Sequence, residues 1–155
     1  MNIQQINRSD PERTYISVHN ISGATITTGM GVVLAVGNED VAASADGVGA
    51  LPLTTSAELR PSFVGVASMD IADNSYGLVI AWGYADSILL SQETDKTVGL
   101  LAGASLLQAG AATGSFTSAL APQAVSTYMG KYVVLADTVN ISGSLPYGKG
   151  FVRCL

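Results

Sequence analysis

Short runs of β-forming residues, separated by turns of glycine, asparagine and aspartate, recur along the chain from residue 15 onward. Such runs occupy residues 15–19, 29–36, 63–67, 78–85, 131–136 and 150–154. Short strands bounded by turn residues are typical of all-β sandwiches and barrels. Helical signals are weak and confined to 93–101 and 122–129. We therefore predict an all-β fold: a single-domain β-sandwich or barrel of short strands.

The first residues differ from the rest of the chain. Residues 1–13 are polar and contain the pair Asp10-Pro11, which favours extended or turn backbone. A length of 155 residues suits one domain with one hydrophobic core. We expect an extended N-terminal arm over 1–13 and a single β-rich domain over 14–155.

Charge is sparse. Charged residues make up 12% of the chain, against about 25% in typical soluble domains. Because the centres of subunit interfaces are depleted in charge, this deficit favours an oligomer. The formal net charge is −5, and the seven Lys and Arg residues are scattered singly. This pattern argues against nucleic acid as a partner.

Residues that carry catalysis or bind metals are few. His19 is the only histidine and Cys154 the only cysteine, so the two together cannot supply four zinc ligands. No G-x-S-x-G segment presents a serine nucleophile. We predict a protein that is not an enzyme and that needs no cofactor or metal. One cysteine cannot form an internal disulfide, which fits folding in a reduced cytosol.

The sequence also bears on membranes. The first residues lack the apolar run of a signal peptide. The uncharged stretch 97–130 is interrupted by glycines and Pro122, so it does not supply the about 20 consecutive apolar residues of a membrane span. We expect no membrane partner, and we expect this stretch to be buried against neighbouring chains.

Trp82 and Tyr84 are two residues apart in the strongest predicted strand, so they share one face of a sheet. Two interpretations are open at this point. The pair can form a platform for a ligand such as a glycan, or it can belong to the core or to a subunit contact.

Several short segments occur in an order that resembles the small head-decoration, or cement, proteins of tailed phages. These segments are NISGATI at 20–26, GMGVVL at 29–34, VGVASMDI at 64–71, WG at 82–83, GASLL at 103–107 and VVLA at 133–136. The resemblance spans about residues 14–155 and is weakest over 93–123. It implies a β-rich domain, usually a trimer, that sits on the outer capsid surface and stabilises the shell.

The resemblance also implies partners and a location. The partners would be the major capsid protein and further copies of this chain, most simply a homotrimer. The protein would be made in the host cytoplasm and end in the virion. We also expect the arm to contact the capsid or a neighbouring subunit, with Ile3, Ile6, Arg8 and Arg13 as the contact residues. Two alternatives stay open: a phage tail or fibre component, and a small glycan-binding β-module.

Overall fold

The computed structural model describes residues 12–35, 47–54, 62–91, 105–109, 113–118, 133–136 and 147–154. This part of the chain is built entirely of strands and their connections, which confirms the predicted all-β fold. The nine strands are β1 (Arg13–Asn20), β2 (Gly31–Leu34), β3 (Gly49–Pro52), β4 (Phe63–Ala67), β5 (Tyr76–Leu89), β6 (Ser105–Ala109), β7 (Phe116–Ser118), β8 (Val133–Leu135) and β9 (Tyr147–Arg153).

Five of the strands close into a barrel. The order β1-β3-β2-β4-β5 returns to β1 through an antiparallel pairing between β1 and β5. The pairing of β1 with β3 is parallel, and the other pairings of the barrel are antiparallel. Closure removes the free strand edges that would otherwise be open to pairing with other chains.

The remaining four strands extend the sheet away from the barrel. β5 is 14 residues long, and its second half leaves the barrel to pair with β9. β8, β6 and β7 follow β9 in that order, each antiparallel to its neighbour. One long strand therefore belongs to both parts of the fold.

The barrel interior forms the first hydrophobic core, here called the barrel core. Each barrel strand contributes one small side chain, and two isoleucines from the loops pair across one end. Its members are Val18, Ile26, Val32, Ala50, Ala67, Ile71 and Val79. Small side chains fit because a five-stranded barrel encloses little space.

A second cluster, here called the outer core, lies between the outer wall of the barrel and the extended sheet. It is larger and contains two phenylalanines, Phe63 and Phe116, whose rings meet edge to face at 5.7 Å. Its other members are Val33, Leu53, Val66, Ile80, Ala85, Ile88, Leu90, Val133, Leu135 and Val152. Cys154 packs against this core, and burial raises the pKa of its thiol to about 12.

A bulge in β5 determines which face its aromatic residues occupy. Trp82 is opposite Thr14 and Ile80 is opposite Tyr15, so Ala81 is an extra residue without a partner on β1. Because side chains alternate along a strand, one inserted residue shifts the alternation to the other face. Ile80 therefore enters the outer core, whereas Trp82, two residues later, does not.

Two glycines permit the close approach of backbones around this bulge. Gly65 on β4 has φ of 148° and Gly83 on β5 has φ of 114°, conformations that side chains rarely adopt. A Cβ at Gly65 would collide with the carbonyl group of Ile80, and one at Gly83 with the carbonyl oxygen of Glu12. Glycine at these positions thus lets β4 and β1 pack tightly on β5.

The strands predicted at 15–19, 29–36, 63–67, 78–85, 131–136 and 150–154 correspond to β1, β2, β4, β5, β8 and β9. Three strands carry too little β signal to be predicted, namely β3, β6 and β7. The weak helical candidates 93–101 and 122–129 lie outside the described residues. Within the described residues, β2 pairs with β3 and β4.

Candidate interaction surfaces

One face of the extended sheet carries a row of large exposed side chains, here called the sheet surface. Residues of β9 alternate strictly between buried and exposed, with small or aliphatic side chains on the buried side. The exposed side of β9 and the adjoining part of β5 contribute Trp82, Tyr84, Tyr147, Lys149, Phe151 and Arg153. These residues face away from the outer core.

Cross-strand pairing brings the aromatic residues of the sheet surface together. Trp82 is opposite Arg153, and Tyr84 is opposite Phe151. The rings of Trp82 and Phe151 meet edge to face, with centroids 5.3 Å apart and planes at 87°. The Arg153 guanidinium carbon lies 5.7 Å from the centre of the Trp82 ring, a cation–π arrangement. Neighbouring contacts thus hold these side chains in place, which lowers the entropy cost of binding a partner.

The sheet surface carries two cations although the chain as a whole is negative, and the exposed carboxylate of Asp86, in the stretch of β5 that faces Lys149, is paired with Arg13. Lys149 and Arg153 project from the same face of β9. Within the described ranges, no carboxylate forms an ion pair with either cation; the salt bridge found there joins Arg13 to Asp86. Two positive charges flanking Phe151 therefore face solvent on a chain of net charge −5.

A second apolar surface, here called the barrel-wall surface, lies on β1 and the first half of β5. Tyr76 is 63% exposed, and its ring stacks on His19 with centroids 4.6 Å apart and planes at 13°. Leu78, opposite Ser17, and Tyr15 are each 43% exposed. Large apolar side chains that are grouped and exposed mark interaction sites more often than isolated ones do.

The two surfaces lie on opposite faces of β5. Tyr76, Leu78 and Ile80 share one face before the bulge, and Trp82 and Tyr84 occupy the other face after it. A single strand thus presents apolar side chains in two directions. This geometry depends on the one extra residue at Ala81, which the regular spacing of apolar residues does not indicate.

The predicted pair Trp82 and Tyr84 lies on one face, and both side chains are half-buried rather than part of either core. Phe151 and Arg153 lie on the same face and were not predicted there, although the strand that carries them was predicted. Their alternation with Gly150 and Val152 could have shown that they share one face of β9. The pairing register that places them beside Trp82 and Tyr84 on β5 could not be predicted from the sequence.

The predicted arm residues are only partly described. Ile3, Ile6 and Arg8 lie outside the described residues. Arg13 is the first residue of β1, where it pairs with Gly83, and its guanidinium donates a hydrogen bond to Asp86. Side-chain hydrogen bonds raise the pKa of Arg13, the one with Tyr15 more than the one with Asp86. The segment before β1 therefore joins the fold at the strand position next to Thr14, the partner of Trp82.

A polar network closes one end of the barrel. The buried amide of Asn20 donates hydrogen bonds to the carbonyl oxygens of Ala24 and Ile71, at 2.7 and 2.8 Å. Its Oδ1 accepts hydrogen bonds from the backbone and hydroxyl groups of Ser22. This explains the first copy of the repeated tetrapeptide Asn-Ile-Ser-Gly as a structural corner. The second copy, 140–143, lies outside the described residues.

Asp70 and Asp73 fasten the loops at the same end. Asp70 accepts hydrogen bonds from the backbone and hydroxyl groups of Thr28, and these bonds lower the pKa of its carboxyl group. Asp73 accepts one from the backbone of Gly23. Among the residues with assigned positions, no group of three or more His, Cys, Asp or Glu could hold a metal ion.

The described residues contain no helix long and apolar enough to span a membrane. A comparison of the chain with protein-family models and with curated proteins found no match.

Proposed function

We propose that this chain is a structural virion protein, a decoration or cement protein that binds the outer capsid surface of a tailed phage and stabilises the shell. Its partners are the major capsid protein and further copies of itself, as a homotrimer, and it carries out no catalysis. The observation that carries the proposal is the pair of apolar surfaces on opposite faces of β5.

Two surfaces matter because a protein that cements a shell must contact more than one neighbour at once. One surface can meet the capsid subunit while the other meets a second copy. Each contact removes apolar area from water, and this gain is lost if the shell opens. A protein that binds the closed shell and not the open one shifts the equilibrium between the two towards the closed shell.

Sparse charge supports the same role. Because only 12% of the residues are charged, few charged side chains lose their hydration when large interfaces form. The described strands fit this pattern, since the barrel-wall surface is made of Tyr, Leu, Ser and His rather than Lys and Glu.

The N-terminal arm is the third element of the proposal. Ile3, Ile6 and Arg8 remain the proposed capsid contacts, and Arg13 is better placed to fix the end of the arm through Asp86. Removing residues 1–11 leaves β1 and every other described strand complete, so this deletion tests the arm. Loss of head binding with an unchanged unfolding midpoint is the expected result, and full binding would remove the arm from the proposal.

The test of the function is co-sedimentation of the purified protein with expanded heads that lack it. The readouts are the saturating number of copies and the temperature at which the heads open. Saturable binding with a raised opening temperature is expected. Binding to isolated tails and not to heads would favour the alternative of a tail or fibre component.

A glycan-binding β-module is the second candidate, because half-exposed Trp82 and Tyr84 lie side by side on one face. Replacing both by Ala separates the two functions. Wild-type protein that binds a glycan array but no heads, together with loss of that glycan binding in the variant at an unchanged unfolding midpoint, would favour the glycan module over the decoration protein.

A further inference from the structure

We infer that the sheet surface is a docking site for an acidic segment of another protein, in which two carboxylates flank an apolar residue. The inference rests on the proposed function, under which the segment belongs to the capsid subunit. It is carried by the order of side chains along the exposed face of β9, which reads Lys149, Phe151, Arg153.

The spacing of these side chains gives the site its selectivity. Alternate residues on one face of a strand are about 7 Å apart, so Lys149 and Arg153 lie about 13 Å apart with Phe151 between them. An extended segment with carboxylates four residues apart, and an apolar residue midway, presents complementary groups at the same intervals. Trp82 and Tyr84 on the neighbouring strand widen the apolar centre.

Charge complementarity decides what kind of partner fits. The two cations have no carboxylate partner within the described part of the chain, as the one salt bridge there joins Arg13 to Asp86. Complementary charge steers encounters and fixes register at an interface. Two copies meeting symmetrically through this surface would bring the same cations face to face, so a self-complementary contact is disfavoured.

The position of Arg153 favours a peptide over a saccharide. Its guanidinium already lies over one face of the Trp82 ring, and the Phe151 and Trp82 rings meet edge to face. A sugar that stacks on the covered face must displace the guanidinium. A carboxylate can bind Arg153 where it lies, because the guanidinium offers several N–H donors. Aromatic residues and Arg are also the side chains that contribute most at protein interfaces.

Trp82 is the only tryptophan in the chain, so its fluorescence reports on this surface directly. The probes are a short peptide of Glu, Thr and Leu with the pattern Glu-Thr-Leu-Thr-Glu, the same peptide with Lys for Glu, and an uncharged oligosaccharide. The Glu peptide is expected to shift the emission saturably, and added salt is expected to weaken its binding. The Lys peptide and the oligosaccharide are expected to leave the emission unchanged.

The diagnostic variant is Lys149→Glu with Arg153→Glu. The matched control is Arg60→Glu with Lys96→Glu, two residues outside the described ranges and distant from β9 in sequence. Each double variant makes the formal net charge more negative by four, from −5 to −9. The β9 variant should bind the Glu peptide and the heads at least about tenfold more weakly than the wild type, and the control variant by no more than about twofold. Unchanged unfolding midpoints show that both variants are folded.

The outcomes separate this inference from the proposed function. Three outcomes would overturn the docking site. They are no response to the Glu peptide, equal binding of the Glu peptide by the wild type and the β9 variant, and a saturable response to the oligosaccharide alone. Wild-type protein that binds the Glu peptide but no heads would leave the docking site standing and overturn the decoration role. If the wild type and the β9 variant bind heads equally, the docking site is overturned and the decoration role stands.

Discussion

The two hydrophobic cores share strands but are made of different side chains. The barrel core contains Val, Ile and Ala, and none of its members is aromatic. The outer core contains Phe63 and Phe116 together with larger aliphatic side chains. Adjacent residues of one strand point into different cores, as Val32 and Val33 do on β2.

The difference follows from closure. Five hydrogen-bonded strands fix the width of the barrel, so its interior accepts only small side chains. The outer core lies between the barrel wall and an extended sheet, and the distance between these two layers can adjust to larger side chains. The barrel therefore limits side-chain volume, whereas the outer core holds more of the buried residues and both of its phenylalanines. Four experiments test this difference and the closure of the barrel, from the largest expected effect to the smallest.

Phe116→Ala should be the most damaging of these changes. Phe116 is 1% exposed and fills the outer core against Phe63. Its removal leaves a cavity and should lower the free energy of unfolding by about 3–5 kcal/mol. Denaturant unfolding measures this. The matched control is Phe151→Ala on the sheet surface, where the side chain is 37% exposed and we expect a loss below about 1 kcal/mol. Equal losses would contradict the assignment of Phe116 to a core.

Asn20→Ala should open the end of the barrel core. The carbonyl oxygens of Ala24 and Ile71 each lose one of their two donors, and Ser22 loses the acceptor that Asn20 provides. A typical hydrogen bond contributes about 0.5–1.5 kcal/mol, so losing these bonds together should cost about 1–3 kcal/mol. Unfolding measurements on Asn20→Asp separate the two halves of the network, because Asp keeps the acceptor and removes both donors. An unchanged stability for both variants would show that the network does not close the barrel.

Val32→Leu tests whether the barrel is as rigid as closure suggests. Val32 is fully buried in the barrel core, and one additional methylene should cost about 1–2 kcal/mol through overpacking. The same substitution at Val133, in the outer core, should cost less than about 1 kcal/mol, since the layers there can separate slightly. Comparison of the two unfolding midpoints decides the point. A larger loss at Val133 would reverse the proposed difference between the cores.

Acid should weaken the loop contacts at the barrel end slightly. Hydrogen bonds from Thr28 lower the pKa of Asp70 below its ordinary value of 3.8. A carboxyl group with a lowered pKa contributes stability above its unfolded-state pKa and loses it as the pH falls through the folded-state pKa. The expected result is a small loss of stability below about pH 4 that Asp70→Asn abolishes. Unfolding curves from pH 7 to pH 2 measure it, and an identical acid slope in the variant would contradict the assignment.

Sequence patterns predicted the parts of the fold that depend on local composition. The continuous apolar runs of β2 and β4 are typical of strands covered on both faces, and each of these two strands contributes residues to both cores. β3 has only four residues and ends at Pro52, and its pairing with β1 is parallel and long-range. No local signal specifies such a strand, which is why it escaped prediction.

The candidate surfaces divide in the same way. Alternation within one strand placed Trp82 and Tyr84 on a common face, and that prediction needed no partner strand. Side-chain type and spacing are enough to predict the all-β class and the main strands, and the low charge follows from composition alone. Barrel closure, the bulge at Ala81 and the meeting of Trp82 with Phe151 and Arg153 became visible only in the folded chain. Register and closure depend on contacts between residues distant in sequence, and no local pattern records those contacts.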